Sequence, residues 1–134
     1  MDKALKVLIV DDQKVSRMIL SDLFDNKYEI IEADNANDGL LYLRENTDDI
    51  VFILFDYTMP GVDSNGFLKE IRSLDKNKKI PVVIATDRNY YESFDECYRL
   101  GIDDRITKPF DKQTIKRRIE NIMMLYEYKN GRLK

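Results

Sequence analysis

The sequence predicts an α/β fold in which five parallel strands form a doubly wound sheet covered by helices on both faces. Strand-like and helix-like patterns alternate along the chain, as is typical of repeated βα units. The connections between them are short, which favours parallel strands joined by helices. The clearest strand is Ile50–Asp56, an uninterrupted apolar run that ends in an acid. Such a run indicates a strand that is buried on both faces.

The first half of the chain contains three strand patterns and two helix patterns. Strands are predicted at Lys6–Val10, at Ile50–Asp56 and, with weaker alternation that indicates a position near a sheet edge, at Tyr28–Ala33. Apolar residues at helical spacing predict two helices between these strands, with faces formed by Val15, Ile19 and Leu23 and by Ala36, Leu40 and Leu43. Asp34 or Asn35 is expected to cap the second helix.

The second half continues the alternation. Phe67, Leu68, Ile71 and Leu74 predict a third helix after the loop Gly61–Gly66. The next elements are a strand at Ile80–Thr86, a helix at Tyr90–Leu100 that ends at Gly101, and a strand at Asp104–Thr107. Asp111 is expected to cap a long last helix whose inner face carries Ile115, Ile119, Ile122, Met123 and Tyr126.

Composition limits the possible functions. The chain has 134 residues, of which 43% are hydrophobic and 35% charged, which suits one compact domain. A net charge of -3 gives no reason to expect direct nucleic-acid binding, and the apolar runs are too short to cross a membrane. Cys97 is the only cysteine, which fits a reducing cytoplasm. The chain has no histidine, which excludes Ser-His-Asp and Cys-His catalysis and histidine metal sites.

Polar residues stand at the same end of four predicted strands. Asp11 and Asp12 follow the first strand, Asp56 ends the third, Thr86 ends the fourth and Lys108 follows the fifth. In a doubly wound sheet these ends converge on one crevice, where ligands bind.

This set of side chains suits phosphoryl chemistry. Two carboxylates about 4 Å apart repel by roughly 4 kcal/mol at an effective dielectric constant near 20. Lys108 and a hard divalent cation such as Mg²⁺ would offset that repulsion. Asp56 could then attack phosphorus and form an aspartyl phosphate. Each residue alone has an ordinary explanation, such as a helix cap, a turn or a solvated acid, but four strands supplying one site favours the functional interpretation.

The chain resembles the receiver domains of bacterial response regulators, including the chemotaxis response regulator. The resemblance covers about Lys6 to Tyr126 and is carried, in order, by Val10-Asp11-Asp12, Phe55-Asp56-Tyr57-Thr58-Met59-Pro60-Gly61, Ala85-Thr86 and Thr107-Lys108-Pro109-Phe110. It implies a flavodoxin-like (βα)5 fold with strand order 2-1-3-4-5. It also implies a receiver domain over residues 1–128, followed at 129–134 by a tail or the start of a linker.

The resemblance also implies roles for individual residues. Asp56 would accept a phosphoryl group from a sensor histidine kinase or a phosphotransfer protein. Mg²⁺ would be held by Asp11, Asp12, Asp56 and the backbone carbonyl of Thr58. Thr86 and Lys108 would bind the phosphoryl oxygens, and the Lys108–Pro109 peptide would be cis. Such a protein is no enzyme beyond its own phosphorylation and dephosphorylation, and it acts through a downstream effector protein or domain.

Three features depart from the family pattern. Arg105 occupies the usual position of an aromatic switch residue, which puts the usual coupling to Thr86 in doubt. It is expected to face solvent, or to contact a partner or an acid of the fourth helix. Asp87 follows Thr86 where a small residue is usual, and could repel a phosphoryl group unless it faces solvent. Thr58 and Arg88 lie where the family sets the lifetime of the acyl phosphate.

The output side of the protein is less defined by sequence. The last helix either packs as a plain terminal helix or leads into another domain, with Tyr126 and Tyr128 as contact residues. A surface of the fourth helix, fifth strand and fifth helix is expected to respond to phosphorylation and could form a homodimer. It carries Tyr90, Tyr91, Tyr98 and Arg105.

Three other functions are alternatives to a phosphoacceptor. A degenerate receiver that only binds partners is suggested by Arg105 and Asp87. A hydrolase of the haloacid-dehalogenase type would need an Asp-x-Asp pattern after the first strand, whereas Asp11 and Asp12 are adjacent. A flavodoxin-like nucleotide binder would need a glycine-rich loop there, and none is present.

Overall fold

A computed structural model describes residues 5–24, 26–87, 90 and 94–131. The strands are β1 (Lys6–Val10), β2 (Glu29–Ala33), β3 (Ile50–Asp56), β4 (Val82–Thr86) and β5 (Asp104–Thr107). The helices are α1 (Lys14–Asp22), α2 (Ala36–Glu45), α3 (Ser64–Leu74), α4 (Asp95–Arg99) and α5 (Lys112–Lys129).

The strands form one parallel sheet in the order β2-β1-β3-β4-β5, which confirms the predicted flavodoxin-like topology. Val10 at the end of β1 pairs with Phe55, so the residues that follow, Asp11 and Asp56, emerge at the same level. Thr86 pairs with Thr107 at the ends of β4 and β5. The register therefore brings the carboxyl ends of four strands to one edge, as predicted.

The centre of the sheet is buried on both faces. All seven residues of β3 are buried, and its six apolar residues are divided equally between two apolar clusters. Phe55 joins residues of α2, α3 and α4 on one face, whereas Phe52 and Leu54 join residues of α1 and α5 on the other. Burial on both faces explains why β3 is continuously apolar, and it holds the backbone that ends at Asp56 rigidly in place.

The predicted face of α1 is wrong by about one residue. Val15 is 68% exposed and Ile19 38% exposed, whereas Leu20 is 2% exposed. The buried face runs instead through Ser16 and Leu20 to Leu23. Because Ser16 is polar, the apolar pattern alone favours the neighbouring stripe, although the polar residue is the one that faces the sheet.

Several element boundaries also differ from expectation. The helix α3 begins at Ser64 rather than after Gly66, because the Asp63 carboxylate accepts a hydrogen bond from the Gly66 N–H and caps the helix early. For α2 the cap is Asn35, whose side chain accepts from the Asp38 N–H. Asp111 stands at the N-cap position of α5, but its carboxylate accepts from the Thr114 hydroxyl instead of a backbone N–H.

The fourth helix is shorter than predicted in the part of the chain that is described. It spans Asp95–Arg99, and Gly101 follows with a φ of +91°, the left-handed conformation expected where a helix stops. The predicted start at Tyr90 runs through residues 91–93, which lie outside the described residues.

The C-terminal end of α5 is fixed to the segments that precede β4 and β5. At its end, the Tyr126 hydroxyl donates to Asp103 Oδ1 over 2.6 Å, and Asn130 Nδ2 donates to the Lys79 carbonyl over 2.9 Å. Tyr126 is thus a core residue, whereas Tyr128 is exposed.

Within the described ranges, no helix combines the length and the apolar character needed to cross a membrane.

The two faces of α1 can be distinguished by stability. Leu20→Ala should lower the free energy of unfolding by about 2–5 kcal/mol, because it opens a cavity beneath the sheet. Val15→Ala should change it by less than about 0.5 kcal/mol, because the side chain is in solvent. Urea denaturation followed by circular dichroism measures both values, and equal losses would contradict the described orientation.

Candidate functional site

Three carboxylates meet at the carboxyl edge of the sheet. Among the described residues, Asp11, Asp12 and Asp56 each offer an oxygen such that all three atoms lie within 4.8 Å of one another. Asp11 and Asp56 are buried, and Asp12 is exposed at the mouth. The sequence prediction that these residues converge is therefore correct for the acids.

Lys108 lies between the two buried acids. Its Nζ is 3.0 Å from Oδ2 of Asp56 and 3.1 Å from Oδ2 of Asp11. The backbone N–H of Lys108 donates to the Thr86 carbonyl, which fixes the lysine to the end of β4. The peptide that joins it to Pro109 is cis, as predicted. One ammonium thus contacts two carboxylates on neighbouring strands.

Asp56 is oriented by the turn that follows it. Its Oδ1 accepts hydrogen bonds from the backbone N–H and the hydroxyl of Thr58, at 2.9 and 3.0 Å. Its Oδ2 accepts from Lys108. A side chain with both oxygens engaged is held in one rotamer, which is the preorganisation that a nucleophile needs. The Thr58 hydroxyl contact was not anticipated from the sequence.

Burial and mutual contact shift the pKa values of Asp11 and Lys108. Burial raises the pKa of Asp11, and the neighbouring Asp56 raises it further, against the lowering effect of the Gln13 N–H and of Lys108. Burial alone would lower the pKa of Lys108, but its contacts with Asp56 and Asp11 outweigh this and raise it. The ammonium is therefore firmly charged, while ionised Asp11 remains costly in the folded protein.

The donor set fits a hard divalent cation. Three acids face one lysine, which leaves an excess of negative charge. Oδ2 of Asp11 is buried and receives no well-directed hydrogen bond from any described residue, although Lys108 lies close. Mg²⁺ prefers carboxylate oxygens and retains waters, so a cluster with one exposed member suits it.

Thr86 carries an unsatisfied hydroxyl at the same edge. The residue is buried, and its Oγ1 has no hydrogen-bond partner within the described part of the chain. A buried hydroxyl without a partner costs free energy, so such groups in native proteins call for an explanation. A ligand oxygen at the strand ends would supply the partner.

Arg105 belongs to an aromatic cluster that the sequence did not reveal. Its guanidinium carbon lies 4.2 Å from the centre of the Phe94 ring. The Phe94 ring is 5.3 Å from that of Tyr90 and 6.1 Å from that of Tyr57, the residue after Asp56. Arg105 therefore packs on an aromatic face. It is half-buried rather than fully in solvent, and among the described residues it has no ion pair with an acid of α4. Contact with a partner stays a prediction.

The other departures from the family pattern are less informative. Asp87 is exposed at the rim of a cavity of about 480 Å³ that Tyr57, Thr58 and Tyr90 also line. It is therefore not a fourth buried acid. Arg88 and Tyr91 lie outside the described residues.

Arg17 is a further residue at the site that sequence reasoning missed. Its Nη1 donates to the backbone carbonyl of Asp11 over 2.7 Å, and its Nε donates to Glu32 Oε1 over 3.0 Å. The only sequence signal is a cation about one turn into the helix after the acid pair, which by itself is typical of a solvated surface.

Comparisons with known proteins agree with this geometry. The family model described as "Response regulator receiver domain" matches residues 7–120. Chemotaxis protein CheY-3 of Vibrio cholerae serotype O1 is 32% identical over 127 residues, which covers 91% of this chain and 94% of that protein. Chemotaxis protein CheY of Pseudomonas aeruginosa is 30% identical, with coverage of 95% and 100%.

Solved structures show the same fold. A receiver domain from Clostridium thermocellum superimposes with a TM-score of 0.80 at 22% identity and covers 92% of this chain and 98% of its own. The CheX-CheY-BeF3-Mg complex from Borrelia burgdorferi contains a chain with a TM-score of 0.76 at 25% identity, with 88% of each chain covered. With the family match spanning most of its length, the chain belongs to the response regulator receiver domain family of two-component signalling.

Proposed function

We propose that this receiver accepts a phosphoryl group on Asp56 from the phosphohistidine of a sensor histidine kinase or phosphotransfer protein. The observation that carries the proposal is the buried pair Asp11 and Asp56 with Lys108 between them. In the reaction a carboxylate oxygen of Asp56 attacks phosphorus. The new P–O bond forms as the P–N bond breaks, and the histidine nitrogen leaves with the electron pair.

The other residues of the cluster have supporting roles. Lys108, released from part of its contact with Asp56, pairs with a phosphoryl oxygen, and the unsatisfied Thr86 hydroxyl donates to another. Asp11, Asp12, Asp56 and the backbone carbonyl of Thr58 would hold Mg²⁺, which supplies positive charge for the transferring group when bound. The Borrelia burgdorferi complex, which contains CheY with BeF3 and Mg²⁺, supports this assignment by analogy.

The protein is a signalling module rather than a true enzyme, as receivers are in general. Its own chemistry is confined to phosphorylation and dephosphorylation of Asp56. A degenerate receiver is not favoured, for two reasons. The family's acid, lysine and hydroxyl positions are all occupied by those residue types, and Asp87 is exposed instead of buried in the pocket. The cytoplasmic location and the division into a receiver at 1–128 and a tail at 129–134 stay predictions.

The output surface of the proposal is formed by α4, β5 and α5. Tyr98 is about half exposed there, and Arg105 connects this surface to the aromatic ring of Phe94. Asp104 pairs with Arg118, whose guanidinium also donates to the Arg105 carbonyl. These contacts join β5 to α5 next to the aromatic cluster that Arg105 contacts. Phosphorylation of Asp56 would change this surface, and the changed form would bind an effector or a second copy of the chain.

Direct phosphorylation tests the central claim. The wild-type protein, incubated with Mg²⁺ and acetyl phosphate and quenched in acid, should gain the mass of one phosphoryl group. Asp56→Asn should gain none, because the amide is no nucleophile, and EDTA should suppress the gain in the wild type. Absence of any gain on the wild-type protein in intact mass spectrometry would exclude phosphoacceptor function.

Asp11→Asn tests the electrostatic argument. Folding raises the pKa of Asp11 from its ordinary value of 3.8. At pH values between 3.8 and the raised pKa, the folded state therefore binds more protons than the unfolded state. The stability of the metal-free wild type therefore falls as pH rises through that window. Asp11→Asn should be the more stable protein in EDTA at neutral pH, and the difference should vanish below the ordinary pKa.

Mg²⁺ should reverse that order at neutral pH. At a concentration about a hundred times its Kd, the ion should add about 2.7 kcal/mol to the free energy of unfolding of the wild type. Asp11→Asn should gain much less, because one carboxylate is missing. Urea denaturation in EDTA and in MgCl2 measures both effects, and a wild type that is already more stable in EDTA at neutral pH contradicts the charge argument.

The output surface can be tested with a phosphoryl mimic. Fluoroberyllate with Mg²⁺ should change amide exchange in β5 and α5 and increase the solution mass toward a dimer. Tyr98→Glu should prevent the mass increase by placing a charge on the surface, yet leave phosphorylation of Asp56 intact. Identical exchange and mass with and without the mimic would count against this surface.

A further inference from the structure

Arg17 connects three elements next to the acid cluster. It lies on α1 with a side chain only 15% exposed, and its guanidinium contacts the backbone of Asp11 after β1 and the carboxylate of Glu32 on β2. A largely buried arginine that donates to a backbone carbonyl is unusual for a helix surface, where solvent is available. The contact is charge-assisted and short, at 2.7 Å, which indicates a strong hydrogen bond.

With Arg17, almost every polar group of Asp11 is fixed. Its N–H donates to the Ala33 carbonyl, its carbonyl accepts from Arg17, and its Oδ1 accepts from the Gln13 N–H at 2.9 Å. Only Oδ2 remains for Lys108 and the cluster. The Asp11 carbonyl is also one half of the peptide group that leads to Asp12. Holding this carbonyl therefore fixes the plane from which the exposed Asp12 side chain starts.

We propose that Arg17 is a positioning residue that sets the affinity of the acid cluster for Mg²⁺ by fixing the Asp11–Asp12 peptide. The inference rests on the metal site of the proposed function. Glu32 orients the guanidinium and offsets its charge, so the cation can stand near a cation site at reduced electrostatic cost. Groups that orient metal ligands in this way commonly change metal affinity by about 10–100-fold when removed.

The sign of the effect distinguishes positioning from simple charge. Removal of a positive charge near the acids should strengthen Mg²⁺ binding, because the field at the site becomes more negative. Removal of a group that holds the ligands should weaken it, because the acids must then be ordered when the ion binds. The two explanations therefore predict opposite changes for the same substitution.

The test is calorimetric titration of the full chain with MgCl2 at fixed ionic strength. Arg17→Met should weaken Mg²⁺ binding about 10-fold. Arg17→Lys keeps the charge but has no planar pair of donors, so it should recover part of the affinity. Lys14→Met removes an exposed cation of the same helix that lies beside Arg17 at the rim of a neighbouring cavity. It should leave the affinity unchanged or slightly stronger.

Unfolding in EDTA, measured on the same variants, separates positioning from a general loss of stability. If Arg17→Met is less stable but binds Mg²⁺ as tightly as the wild type, or more tightly, Arg17 is structural and the inference is wrong, while the proposed function stands. If the wild type itself does not bind Mg²⁺, the proposed metal site fails and the inference fails with it. Weaker binding by Arg17→Met, with partial recovery in Arg17→Lys, supports it.

Discussion

Repulsion between buried carboxylates is the constraint around which this protein is organised. Asp11 and Asp56 follow adjacent strands in register, so the parallel sheet forces the two acids together at its edge. Lys108 reaches both of them from beyond β5, across the end of β4. A single ammonium is insufficient for the acids grouped there, and the negative charge that remains is what the proposed binding of Mg²⁺ and of a phosphoryl group depends on.

A rigid frame is needed to keep such charges together. The buried strand β3 packs against apolar clusters on both faces, and this burial offsets the cost of holding Asp56 next to Asp11. The local hydrogen bonds then select one rotamer for each acid, through Thr58 for Asp56 and through Gln13 for Asp11. The folded sheet therefore holds two carboxylates close together at an electrostatic cost, and a bound cation would lower that cost.

Most of the frame and the acid cluster could be predicted from the sequence, because both depend on local patterns. Apolar runs define the strands, and the acids and Lys108 stand directly at their ends, so topology alone brings them together. The face of α1 could not be predicted, since Ser16 occupies a buried position that periodicity assigns to an apolar residue. Contacts of Arg17 and Arg105 could not be predicted either, because long side chains choose partners that only the tertiary structure brings within reach.

The anchoring of α5 has a mechanical consequence. Its last turns are tied through Tyr126 to Asp103 and through Asn130 to Lys79, at the edge of the sheet opposite the acids. Its first turn begins only four residues after Lys108, at Lys112. Because the C-terminal end of α5 is held in place, a small shift of the chain around Lys108 would tilt the N-terminal end of the helix. It would not translate the helix along its axis.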